Sequence, residues 1–282
     1  MLRVVMDSAG DLPPEWLDEY QIDIIPVNIH FGERTYLQGV DLSNAEFYRM
    51  ARESKQFPKT AQPSPQQFID FYKRIAQPGD TILSMHVTGK LSGTFASAQM
   101  AARELLGKFN IIALDSGNGS AGLGFMCRDA RILDRKGTPI EQIVARMEEI
   151  KRSMNIVLTL KTMEFARRSG RVKALQAALA SVLDVKPVIV LKDGMLDMGQ
   201  RVRTRRKALE ATVETIRKRV GDALINAAAV QAEDPESGQI LTEMVRSRLN
   251  VRDLIMTELS IGVAANLGPG TVGVAAYPVE AR

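Results

Sequence analysis

Residues that usually carry chemistry are scarce in this chain. Its 282 residues include one cysteine, Cys127, and two histidines, His30 and His86. A lone cysteine can neither close an internal disulfide nor build a structural zinc site. Both histidines fall in or at the end of strand-like runs, and neither a G-x-S-x-G elbow nor an H-E-x-x-H helix occurs. Gly89-Lys90 lacks the glycine five positions earlier that a P-loop needs, because Ser84 stands there. Aromatic residues make up only 5%, which leaves few platforms for stacking single-stranded nucleic acid. The longest apolar runs, such as 185–191, are far shorter than the roughly 20 residues a membrane-spanning helix needs. The opening segment 2–6 reads as a strand rather than a secretory leader, so the expected location is cytoplasmic. These absences favour a binding role over catalysis. No catalytic residue, metal or cofactor is expected.

What is present describes an ordinary globular protein, 45% hydrophobic and 25% charged, with a formal charge of +4. The length suits about two domains. In the first half, strand-like runs at 2–6, 22–31, 80–86 and 109–114 alternate with helices that carry start signals. Ser43 to Glu46 and Thr138 to Glu141 have the spacing of capping boxes. Ser64-Pro65-Gln66-Gln67 adds a proline at the first helical position, and Phe68, Phe71, Tyr72 and Ile75 follow on one face. Strands alternating with helices predict a Rossmann-like, mostly parallel α/β domain over 1–152. In the second half, runs at 154–160, 185–191, 195–203, 223–230, 251–257 and 271–277 read as strands, with helices at 174–183 and near 235–249 and a third carrying Leu209, Val213, Ile216 and Val220 on one face. Asp193-Gly194 is a strong hairpin signal. A second α/β domain with a mixed or antiparallel sheet is therefore predicted over 153–282.

In open α/β sheets, ligands gather beyond the carboxyl ends of strands, where helices begin. Four segments here fit that place: Asp7 to Gly10, the Thr60 to Ser64 turn, Thr88 to Phe95, and Asp115 to Ser120. Each supplies small hydroxyls and backbone N–H groups suited to an anion. Asp-Ser and Ser-Gly pairs also serve as ordinary caps, but four such segments in one chain point to a site. The last of them contains G-x-G-x-x-G at Gly117, Gly119 and Gly122, which leaves a nucleotide-binding enzyme as the alternative reading. Against it, Asp115-Ser116 intervenes before the first glycine, and the next strand ends in Thr159-Leu160-Lys161 with no acidic residue for a ribose.

The order of several short motifs resembles the DegV family, whose members include the fatty-acid-binding subunits of bacterial fatty acid kinase. The matching segments are Asp7-Ser8 with Asp11-Leu12, the Thr60 turn, Leu91-Ser92-Gly93-Thr94-Phe95, Asp115-Ser116 with Gly122 and Gly124, Ser169-Gly170-Arg171, Lys186-Pro187, Arg203-Thr204 and Gly268-Pro269-Gly270. The resemblance implies a long-chain fatty acid in a tunnel between the domains, with its carboxylate held by Thr60 and by Ser92 with Gly93. The family usually has a histidine and a threonine just before Gly-Pro-Gly. Asn266 and Leu267 stand there instead, and Asn266 can donate through its amide but supplies no cation. The same resemblance implies a separate kinase subunit that docks on Arg171 and Arg203 and makes acyl phosphate for phospholipid synthesis, with transient membrane contact possible. Those arginines sit in two basic clusters, Arg167-Arg168-Arg171-Lys173 and Arg201-Arg203-Arg205-Arg206-Lys207, which read equally well as solvated charge. Nucleic acid is not an expected partner. The small-residue stretch 174–183 suits either a tunnel wall or an ordinary core helix.

Overall fold

The computed structural model describes residues 1–54, 57–172 and 185–279. The predicted helix at 174–183 and the basic residue Lys173 lie outside these. The chain begins with β1 (Leu2–Asp7), α1 (Pro14–Glu19), β2 (Ile22–Ile25), β3 (Asn28–Phe31), β4 (Arg34–Leu37), α2 (Asn44–Glu53), β5 (Lys59–Ala61) and α3 (Pro65–Ile75). Next come β6 (Thr81–His86), α4 (Thr94–Glu104), β7 (Asn110–Asp115), α5 (Ser120–Arg135) and α6 (Ile140–Ser153). The second half holds β8 (Asn155–Thr159), α7 (Glu164–Ser169), β9 (Lys186–Lys192), β10 (Met195–Val202), α8 (Arg205–Val220), β11 (Ile225–Gln231), α9 (Pro235–Arg248), β12 (Val251–Glu258), α10 (Ile261–Leu267) and β13 (Val272–Pro278). No helix among the described residues is long and apolar enough to cross a membrane.

The first sheet is parallel throughout, in the order β2-β1-β6-β7. Its pleat sends Val5, Ile25 and Ile82 towards α3 and α4, and Val4, Met6, Leu83 and Met85 towards α5. The second sheet is mixed, in the order β10-β9-β8-β13-β11-β12, with β11 and β12 as its parallel pair. One face, with Val157, Val188, Val190 and Val274, is covered by Leu209, Val213 and Ile216 of α8 and by Leu241 and Val245 of α9. The other face, with Ile156, Leu158, Ile189 and Tyr277, joins the core around α5. A third sheet, β4-β3-β5, is antiparallel.

Several local expectations hold for identifiable reasons. Ser64 and Gln67 form a reciprocal capping box at the start of α3. Ser43 caps α2 by accepting from the Glu46 N–H at 3.2 Å. Asp193 and Gly194 both have positive φ, and Lys192 pairs with Met195, so the hairpin closes through a two-residue turn that needs left-handed backbone. Other expectations are corrected. The run 22–31 is two strands in two sheets, broken at Pro26, which has no N–H to offer a ladder. The Thr138 capping box does not form, because Pro139 takes the cap position of α6 and displaces Thr138 by one residue. Thr60 lies on strand β5, paired with Ile29 of β3, rather than in a turn.

The two halves are tied through α5, whose stretch from Ala121 to Cys127 is buried on every side. Such a helix has no solvent face to give up and can be wedged between two sheets. Small residues bring it close: a Cβ on Gly122 would meet Ile156 Cδ1 of β8 at 2.8 Å, and one on Gly124 would meet the Asp11 carbonyl at 2.4 Å. Arg128 then spans from α5 to the second sheet, donating to the Tyr277 hydroxyl at 3.0 Å and to Asp253 at 3.1 Å. Its guanidinium lies over the rings of Trp16 and Phe125. Asp11 makes a second tie. One carboxyl oxygen accepts from Ser120 Oγ at 2.5 Å and the other from the Ser260 N–H at 3.0 Å, with Tyr48 and Glu258 facing it from α2 and β12. Burial raises the Asp11 carboxyl to about pH 7, against hydrogen bonds from Ser120 and Ser260 that pull it down.

Two outcomes test this packing. Alanine gains about 1 kcal/mol over glycine in a helix, yet Gly124→Ala must displace backbone at Asp11 and is expected to lose about 1–3 kcal/mol net in urea unfolding. A Gly124→Ala variant as stable as wild type contradicts the close approach of Gly124 to the Asp11 carbonyl. The raised Asp11 carboxyl costs the folded protein least at low pH, where it is protonated in both the folded and the unfolded state, and stability falls as pH rises from about 4 to about 7. A pKa displaced from 3.8 to about 7 corresponds to about 4 kcal/mol. Asp11→Asn is therefore expected to flatten the fall in stability over that interval, and a profile parallel to wild type contradicts the assignment.

Candidate functional site

Between the two sheets, at the start of α5, a narrow void opens. It amounts to about 900 Å³ including its mouth. All four strand-end segments singled out in the sequence reach its wall, through Ala9, through Thr60 to Gln62, through Thr88, Leu91, Ser92 and Thr94, and through Asn118 to Ser120. The second half closes the void with Ile156 and Leu158 of β8, Leu191, Leu196, and Gly262, Val263, Asn266 and Leu267 of α10. Aliphatic side chains from both halves thus face one another across a slot with few charges.

The polar groups on that wall include two hydrogen-bonded pairs. Asn266 Nδ2 is 3.5 Å from Thr60 Oγ1 and donates to the Gly262 carbonyl at 2.7 Å. Ser92 Oγ shares a 2.8 Å hydrogen bond with Thr94 Oγ1 and accepts from the Thr94 N–H at 3.3 Å. Gly93 does not line the void. It stands at the cap position of α4, where a Cβ would meet the Gln62 amide nitrogen at 2.5 Å, so its role there is to let Gln62 approach. Thr60, Asn266 and Arg171 also border a second opening lined by Phe57, Lys59, Phe165 and Arg168. The polar end of the slot therefore leads into a basic vestibule. Arg168 is held there over the Phe57 ring at 3.9 Å.

Arg171 follows Gly170, the left-handed residue that ends α7, and donates to the Ser169 carbonyl at 2.8 Å. Arg203 is exposed past the end of β10 and takes no part in the wall. Within the second basic cluster, Arg205 is structural: it donates to Asp234 at 2.6 Å and to the Gly270 carbonyl at 2.8 Å. Sequence reading missed α7 and α10, since both are short and their start signals are weak. It also missed Val263, Leu158, Leu191 and Leu196, which look like any core residues until the two halves are brought together.

The glycines of the G-x-G-x-x-G are used for packing. Gly117 lies against the Lys151 side chain, Gly119 precedes α5, and Gly122 lets β8 approach. One arrangement imitates a hydrolase. His86 sits between Asp7 Oδ2 at 3.1 Å and Ser84 Oγ at 2.8 Å, and Tyr72 donates to Ser84 at 2.8 Å. Phe68 packs edge-on to the His86 ring, and Asp7, Ser84 and His86 are fully buried away from the void. A nucleophile needs access to its substrate, so this chain of hydrogen bonds holds the first sheet together. Burial likewise pushes the Cys127 thiol well above its ordinary value, away from the reactive thiolate. Among the described residues no group of three His, Cys, Asp or Glu side chains is placed to hold a metal ion.

The fold that holds this slot recurs in known proteins. A DegV domain-containing protein of Deinococcus radiodurans is 33% identical over 283 residues, covering 99% of each chain. The solved structure of a fatty-acid-binding DegV family protein from Thermus thermophilus superposes with a TM-score of 0.91 at 32% identity, covering 99% of each chain. That of DegV, a fatty acid binding protein from Bacillus subtilis, superposes with a TM-score of 0.87 at 25% identity, covering 98% of this chain and 99% of its own. The family model described as "Uncharacterised protein, DegV family COG1307" matches residues 1–279, and the chain belongs to the DegV family.

Proposed function

We propose that this protein binds a long-chain fatty acid in the slot between its two sheets and presents the carboxylate at the polar end. The observation that carries the reading is that one aliphatic void is also lined by the neutral donors Thr60, Ser92 and Asn266 and by Arg171. The likeness to fatty-acid-binding relatives supports it. Each buried CH₂ contributes about 0.8 kcal/mol, so an acyl chain of 14 to 18 carbons is worth on the order of 10 kcal/mol before the entropy of ordering it. Two or three hydrogen bonds to the head add about 1 kcal/mol each. The tail thus sets affinity, and the head sets direction.

The finer parts of the proposal concern residues and partners. Residues 1–152 and 153–282 act as the two domains that enclose the ligand. Thr60, Ser92 and Asn266 bind the carboxylate, and Gly93 keeps Ser92 and Gln62 close. The protein serves as a carrier, and the serine-histidine-aspartate chain among the described residues is sealed in the core. The carboxylate is handed to a separate kinase subunit that docks on the exposed arginines Arg171 and Arg203. Arginine suits such a surface because its planar fork pairs with carboxylates through two hydrogen bonds. The carrier works in the cytoplasm.

Purified protein, analysed by denaturing mass spectrometry of its organic extract, is expected to release one equivalent of fatty acid. Lipid-free protein without measurable affinity for any 14- to 18-carbon acid sinks the proposal. Ser92→Ala is expected to weaken retention of the acid by about tenfold with an unchanged melting temperature. Arg203→Ala is expected to bind lipid like wild type and to lower the rate of acyl phosphate formation by a kinase subunit; an unchanged rate removes Arg203 from the docking surface.

A further inference from the structure

Helix α10 belongs to the second half of the chain, between β12 and β13, but its entry is held by side chains of the first half. The Ser260 N–H donates to Asp11 at 3.0 Å, and the Gly262 N–H donates to Gln38 Oε1 at 2.8 Å. Gln38 is itself fixed from behind. Its Nε2 donates to the Ser8 carbonyl at 2.6 Å, its main-chain N–H donates to the Val27 carbonyl at 3.1 Å, and it is only 8% exposed. Ser8 in turn accepts from the Val27 N–H at 2.9 Å, so the anchor is a closed set of hydrogen bonds. A side chain at 262 would crowd Gln38 Oε1 and Val27 Cγ2, each 3.0 Å from an added Cβ, so glycine allows the close seat.

The same peptide carries the connection onward. Gln38 takes the Gly262 N–H, while the Gly262 carbonyl accepts from Asn266 Nδ2 at 2.7 Å, and that amide lies 3.5 Å from Thr60 Oγ1. Thr60 reaches this point on β5, in the small sheet whose strand β4 runs directly into Gln38. One residue therefore sits at the junction of the two elements that carry the polar end of the slot. Asp11 does the same one step away, since its other oxygen holds Ser120 of the slot wall at 2.5 Å.

We propose that Gln38 and Asp11 are positioning residues that set Asn266 against Thr60, and so make the slot selective for a carboxylic acid over a neutral head on the same chain. The inference rests on the fatty-acid reading above and deepens it. Neither residue lines the slot. Both act by fixing where α10 begins, and through it the direction in which the Asn266 amide points. Loss of the anchor leaves the wall formed by Ile156, Leu158, Leu191 and Leu196 in place but lets the Asn266 amide on α10 drift from Thr60, so the acid is weakened far more than the neutral analogue. A purely structural role would instead weaken both compounds by the same factor.

The test measures dissociation constants for palmitic acid and for hexadecanol, with wild type, Gln38→Met and Asp11→Asn, alongside melting temperatures. Gln38→Met keeps the volume and removes both side-chain hydrogen bonds. Its acid-over-alcohol preference is expected to fall about tenfold, with hexadecanol affinity within about twofold of wild type. Asp11→Asn retains an acceptor for the Ser260 N–H and a partner for Ser120, and is expected to keep the preference within about twofold. An unchanged preference in Gln38→Met, or an equal loss for both compounds, overturns the proposal. Should Gln38→Met fail to fold, Gln38→Glu and Gln38→Ala are compared by the same ratio. Glutamate, which keeps the acceptor for Gly262, must retain more of the preference than alanine, and equal ratios overturn the proposal. Wild-type protein that binds neither compound overturns the fatty-acid reading as well.

Discussion

Everything in this molecule depends on a helix that is buried on all sides. The stretch of α5 from Ala121 to Cys127 has a sheet on each flank, and Gly122 and Gly124 remove the side chains that would keep those flanks apart. Close packing along the helix fixes the spacing between the two sheets. At its N-terminal end the helix stops, while the sheets and the loops that leave them continue. The slot occupies that remaining space. Its depth and narrowness follow from the same contact that holds the halves together, which explains why an aliphatic cavity can persist in an interior that otherwise packs as densely as an organic crystal.

Polar groups around the slot divide by function according to their burial. Asp7, Ser84, His86 and Tyr72 satisfy one another deep in the first sheet, where a solvated alternative is out of reach. Arg128 does similar work between α5 and the second sheet, spreading its hydrogen bonds over Asp129, Asp253 and the Tyr277 hydroxyl. Thr60, Ser92 and Asn266 are only part-buried and line the open space, and the contact of Asn266 with Thr60, at 3.5 Å, is the loosest of their hydrogen bonds. Donors held in place with capacity to spare are what a carboxylate requires.

Much of this was legible in the chain itself. The parallel first sheet followed from alternating strands and capped helices, and the Asp193-Gly194 hairpin announced the change to a mixed sheet. The four strand-end segments were chosen for their hydroxyls and N–H groups, and they do converge on one void. Other features could not be read. Pro26 splits an apolar run that looks continuous, and the short strands β4 and β5 carry no clear alternation. The place of α10 depends on partners 249 and 224 residues away, Asp11 and Gln38, which no local pattern reveals. The hydrolase-like spacing of Asp7, His86 and Ser84 shows the converse: proximity is visible only in three dimensions, and burial then decides its meaning.

The central claim is that the slot takes an acyl tail with its head towards Thr60, Ser92 and Asn266. A crystal grown with a long-chain fatty acid carrying bromine on its terminal carbon tests this directly, through the anomalous scattering of the halogen. The account predicts a single bromine peak inside the slot beside Ile156 and Leu158, with carboxylate density at Thr60 and Ser92. A bromine peak at the Thr60 end, or none between the two sheets, would contradict it.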